Sequence, residues 1–122
     1  MVSDFKDLEV WKKAMALTLE TYRITTMLPK DERYGLSDQM RRAAVSIPSN
    51  IAEGHSRQSN KEFMRFLYIA QGSKAELETQ VLLAQQLGML SAKQTEKLCA
   101  LYREVGSMLH AILQMLSSGT WN

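Results

Sequence analysis

The chain has 122 residues, of which 45% are apolar and 23% charged, and its net charge is +2. Those values fit one soluble domain of ordinary size. They exclude a disulfide framework or a cysteine-rich zinc site, since Cys99 is the only cysteine, and a membrane span, since no stretch approaches the ~20 apolar residues one requires.

The first residues, MVSDFKDLEVW, lack the apolar core of a signal peptide, and a lone thiol suits a reducing compartment. A cytoplasmic protein is expected. Charge is evenly spread: segments 1–36, 37–58, 59–90 and 91–122 carry net zero, +1, zero and +1. No basic arm or acidic tail emerges of the kind that strong sequence-independent nucleic-acid binding draws on.

Six glycines and two prolines, against many Ala, Leu, Met, Gln, Lys and Glu, predict an all-α chain. Helix 1 is predicted over 6–28, with Leu8, Trp11, Met15, Thr18, Tyr22, Thr25 and Leu28 as its seam. Pro29 ends it, because the residue before proline is pushed out of helical geometry. Helix 2 is predicted over 38–54, with Ser37 as N-cap, Met40, Ala44, Ile47 and Ile51 as seam, and Gly54 as the closing residue.

Helix 3, over 60–88, opens on a capping box at Ser59 and Glu62 and stops at Gly88. Its seam is Phe63, Phe66, Leu67, Ala70, Leu77, Val81, Ala84 and Leu87; Gly72 and Ser73 leave room for another backbone. Helix 4, over 92–117, has a second capping box at Ser91 and Gln94 and a stripe running from Leu98 to Leu116, before a frayed tail SSGTWN. Four amphipathic helices with short connections describe an antiparallel up-down-up-down bundle.

The segment SIPSNIAEGHSR, 46–57, tests that scheme. Stopping helix 2 at Val45 would require a loop of a dozen residues, long for a bundle, whereas the seam stays in register through Ile51. The segment therefore reads as helix kinked at Pro48, at a cost of ~3 kcal/mol. Arg42, Ser46, Ser49, Asn50, Glu53 and Arg57 then share one polar stripe, and Val45, Pro48 and Ala52 a compact face.

The stretches LEVWKKA, LPKDERYGLSDQMRRAAVSIPSNIAEG and RFLYIAQGSKAELETQ resemble the four-helix-bundle family of 23S rRNA-intervening-sequence proteins, from about Phe5 to Leu116. The resemblance implies a ring-shaped homopentamer with a central channel, and no enzymatic activity. The family is similar in architecture to the accessory variability protein of diversity-generating retroelements, which is strongly basic; this chain is nearly neutral. The matching positions include Arg42, Ser46, Pro48, Asn50, Glu53 and Gly54 on helix 2, and Arg65, Gly72, Ser73 and Glu76 on helix 3. Arg42, Ser46, Asn50, Glu53, Arg65 and Glu76 are candidates for an assembly or inter-helix polar network.

No catalytic, metal or cofactor site assembles from the sequence. A di-iron bundle needs Glu-x-x-His pairs, but Ala52 precedes His55 by three and Ser107 precedes His110 by three. QGSKAE lacks the phosphate-loop frame, and neither a serine nucleophile nor a small-molecule substrate site is evident. Arg57, Lys61 and Arg65 are spaced by four and form a candidate positive ridge for nucleic acid, which an oligomer would multiply.

Overall fold

The computed structural model describes residues 4–121. They form a 3₁₀ turn, Phe5–Asp7, and then α1 (Glu9–Thr25). A second 3₁₀ turn, Lys30–Glu32, leads into α2 (Leu36–His55), α3 (Asn60–Gln86) and α4 (Glu96–Ser118). Among the described residues there is no strand. Neighbouring helices pair antiparallel, and the contacts show the direction. Residues 18 and 25 of α1 meet 44 and 41 of α2, and Ser46 meets Ser73 of α3. Gln71 and Gln85 of α3 meet Gly106 and Thr95, and Lys13 and Glu20 of α1 meet Glu104 and Lys97 of α4. Among the described residues, no Cα atoms of the diagonal pairs, α1 with α3 and α2 with α4, come within 8 Å of each other.

The chain passes through Pro48 as helix, as its periodicity predicts. Proline has no N–H, so the carbonyl of Ala44 loses its intrahelical donor. Thr18 of α1 supplies another: its hydroxyl stands 3.0 Å from that carbonyl, and 2.9 Å from the Ala14 carbonyl on its own helix. Pro48 itself is buried.

Several boundaries differ from the sequence expectation. Helix 1 does not run from 6 to 28. Asp4 accepts the Lys6 N–H at 2.9 Å to form the 3₁₀ turn, Leu8 is extended, and α1 begins only at Glu9. At its far end the hydroxyls of Thr25 and Thr26 bond the carbonyls of Tyr22 and Arg23, competing with the helical ladder before Pro29. Ser37 is not the N-cap of α2. Gly35 holds that position and Glu32 accepts the Leu36 N–H at 3.3 Å, which leaves Ser37 buried in the first turn.

Gly54 does not close α2; the helix continues to His55 and Gly54 lacks a positive φ. Its glycine answers a different need. A Cβ there would lie 2.6 Å from the Phe66 Cβ and 3.3 Å from the Phe63 carbonyl, so α2 and α3 cross at this point in near backbone contact. Gly72, by contrast, faces open space. The Ser59 cap of α3 forms as predicted, and Gly88 (φ 76°) closes the helix with Met89 N–H bonded to the Ala84 carbonyl. The Ser91–Gln94 box also forms, but as a turn preceding α4. In place of the expected frayed tail, helix continues to Ser118, Gly119 (φ 76°) turns the chain back, and the Trp121 ring packs 6.1 Å from Phe63.

One core runs the length of the bundle, with Leu17, Met40, Ile47, Leu67, Val81 and Leu109 fully enclosed. The seam of α1 is displaced from the expected one. Val10, Ala14, Leu17, Thr21 and Ile24 are buried, while Met15 and Tyr22 stay outside with Leu19. The helix carries two adjacent apolar stripes, and the slimmer one packs inward. Glu20 is a buried carboxylate, held below the usual range chiefly by hydrogen bonds from Arg23, against the opposing effect of burial.

Thr18→Val keeps the shape of the side chain but strands the Ala44 carbonyl. It should cost about 1–2 kcal/mol in urea unfolding, and an unchanged midpoint would show that carbonyl to be satisfied otherwise. Because the folded-state pKa of Glu20 is lowered, its contribution is present above the unfolded value of about 4.3 and is lost as pH falls through the folded value. Glu20→Gln should therefore lose less stability than wild type between pH 7 and pH 3, and equal losses would refute the assignment.

Candidate functional site

The polar stripe of α2 faces outward, and its residues separate into two groups. Ser46 and Asn50 turn toward α3. The Asn50 amide donates to the Ser46 carbonyl at 2.7 Å and to its hydroxyl at 2.9 Å, and the Ser46 and Ser73 hydroxyls are 2.7 Å apart. This chain of small polar groups links α2 to α3 where both are half-buried or buried. The remaining candidates stay on their own helices. Arg42 pairs with Asp38 at 3.0 Å, Glu53 with Arg57 at 3.3 Å, and Arg65 with Glu62 at 3.2 Å, all largely exposed. Glu76 is exposed and pairs with no cation among the described residues. Within one chain the six do not form a single network: Arg42, Glu53 and Arg65 pair with neighbours in sequence, and only Ser46, with Asn50 bonded to it, reaches across to the other helix.

The turn between α2 and α3 breaks the helical spacing of Arg57, Lys61 and Arg65. Arg57 and Arg65 nevertheless converge, their guanidinium carbons 5.0 and 4.4 Å from the centroid of the Phe66 ring. Each also has a carboxylate partner, so little charge is left unbalanced at this corner; Lys61 is exposed with no such partner. Hydrogen bonding from Arg65 lowers the Glu62 pKa below the usual carboxylate range. The ridge is anchored by Phe66, which the crossing at Gly54 holds in place.

Chemistry elsewhere is sparse. No group of three or more His, Cys, Asp or Glu is placed to hold a metal among the described residues. His55 packs edge-on against Phe63 at 5.6 Å, and His110 lies on α4 beside Tyr68 and Gln71. Cys99 is buried beside Tyr102, whose phenol is pushed up by burial and by its contact with Cys99. No described helix is long and apolar enough to cross a membrane.

The sequence pattern missed two features of this architecture. One is the Thr18 hydroxyl that serves the Ala44 carbonyl; the signal available was a proline four residues after Ala44 facing a helix rich in threonine. The other is the exposed apolar stripe Met15–Leu19–Tyr22, visible as a second run at helical spacing.

The family model described as 23S rRNA-intervening sequence protein matches residues 6–111. The chain belongs to that family. Among solved structures, a protein with unknown function from the S23 ribosomal protein family of Bacteroides thetaiotaomicron superposes with a TM-score of 0.79 and 24% identity. The match covers 85% of this chain and 97% of that one. That likeness shows the same four-helix fold. No curated relative matches this chain. In this member of the family a polar cluster, Ser46–Asn50–Ser73, sits at the joint of α2 and α3.

The geometry separates two substitutions on the stripe. Asn50→Ala removes the donor to Ser46 and should cost about 1–2 kcal/mol. Glu53→Ala breaks an exposed pair and should cost under about 0.5 kcal/mol in a monomer. Thermal melts of both variants check this; equal effects would mean that Glu53 packs against something outside the chain.

Proposed function

We propose that the protein is a non-enzymatic homo-oligomeric scaffold or adaptor, assembled as the pentameric ring that its family resemblance implies. The observation that carries this reading is the outer surface of α3. Tyr68, Ile69, Leu82, Leu83 and Leu87 are between 41% and 63% exposed there, beside the open Gly72. Glu76 is the one charge of that stretch without a partner, since Lys74 and Glu78 pair with each other. These residues form two apolar clusters, Tyr68–Ile69 and Leu82–Leu83–Leu87, with exposed Glu76 and Thr79 between them, and exposed apolar clusters of this kind suit contact with another chain.

A second apolar stripe, Met15, Leu19 and Tyr22, lies on α1 at the diagonally opposite corner. Contact between two different patches of successive copies is heterologous, and a heterologous contact that closes makes a ring. The nearly balanced charge of the chain is compatible with such packing, as no strong self-repulsion opposes it. The buried free thiol of Cys99 suits the reducing cytoplasm, where we place the protein.

Light scattering coupled to size exclusion should give about five times the 13.9 kDa chain mass. Leu83→Asp and Leu19→Asp should each shift the protein toward the mass of one chain while leaving helical circular dichroism intact. A monomeric wild type would overturn the reading, and so would oligomers untouched by both substitutions.

A further inference from the structure

We propose that the corner between the end of α1 and the start of α2 is a binding site for a phosphate group. Thr25, Thr26, Lys30, Arg33, Ser37 and Arg41 line a surface cavity there of about 520 Å³. None of its three cations is paired with a carboxylate among the described residues, although most other cations of the chain are. Arg41 is held in position: its Nε donates to the Thr25 hydroxyl at 2.8 Å, and its guanidinium carbon sits 4.8 Å from the centroid of the Tyr22 ring. That leaves the outer nitrogens of its fork free to donate.

Ser37 supplies the second, independent observation. It is only 6% exposed, it lines the cavity, and its hydroxyl has no hydrogen-bond partner among the described residues. The hydroxyl is not sealed from solvent, so an oxygen of a ligand in the cavity can reach it and accept its proton. The displacement of the N-cap to Gly35 is what places Ser37 there, inside the first turn of α2. The first-turn N–H groups have no helical carbonyl to bond and add positive potential at the same end.

The lining offers donors and cations without a carboxylate. The nearest acids in sequence are engaged elsewhere, Glu32 on the Leu36 N–H and Asp38 on Arg42, while Asp31 is exposed and does not line the cavity. A tetrahedral dianion matches several converging cations and hydroxyls better than a planar carboxylate does, and arginine forks favour it further. All these groups come from one chain, so the site does not depend on assembly.

Calorimetric titration of the full chain with inorganic phosphate at low salt should show binding with a dissociation constant on the order of 1 mM. Arg41→Gln should weaken it about tenfold. The pair Lys30→Gln and Arg33→Gln, both exposed and safe for folding, should do the same. The pair Lys61→Gln and Arg65→Gln removes equal charge at the opposite end of α2 and should change nothing. No phosphate binding by wild type, or equal loss in the control pair, overturns the proposal. A short single-stranded RNA distinguishes the sources of the phosphate. RNA that phosphate displaces, and that the Lys30/Arg33 pair no longer binds, assigns the site to a nucleic-acid backbone. Phosphate binding without RNA binding assigns it to a small phosphate-bearing molecule.

Discussion

A single hydroxyl offsets part of the cost of the proline inside the second helix. Proline inside a helix removes a donor and leaves the carbonyl four residues earlier unserved. Here that carbonyl belongs to Ala44, and Thr18 of the neighbouring helix bonds it. The interaction lets α2 run unbroken to His55 and keeps Ile47 and Ile51 on the core side. It also ties α1 to α2 at mid-bundle, so that the proline which weakens one helix specifies its partner.

The joint between α2 and α3 rests on a different constraint, which is closeness. Gly54 admits the Phe66 Cβ to a distance that no side chain would tolerate, with the Phe63 carbonyl also close. One face along, Asn50, Ser46 and Ser73 exchange hydrogen bonds through short side chains that reach only because the backbones are near. Small residues and short polar groups thus support each other along this seam. The ring of Phe66, held by the crossing, then becomes the base on which Arg57 and Arg65 rest.

What the bundle leaves outside is as informative as what it encloses. Two apolar stripes, on α1 and α3, remain uncovered at opposite corners, and their removal from water is the driving force available for assembly. At the α1–α2 corner the opposite situation holds: cations without counter-charges gather around a buried serine. One surface therefore suits a copy of the same chain, the other a small anionic group, and the two need not compete.

The sequence by itself determined the helical class, the number of helices, the continuation through Pro48, the Ser59 cap and the Gly88 stop. Each depends on local spacing or on the backbone preference of one residue. Only the tertiary structure decided which of two adjacent stripes on α1 turns inward, because both repeat at helical spacing and only packing against the neighbouring helices distinguishes them. The role of Gly54 was hidden for a related reason. A glycine near a helix end looks alike whether it turns the chain or admits a neighbour, and the neighbour, Phe66, is twelve residues away. The polar stripe was legible as a stripe, but its division was not. Ser46 and Asn50 meet α3 while Arg42 and Glu53 face outward, a distinction of a few tens of degrees around the helix that the approach of α3 alone resolves.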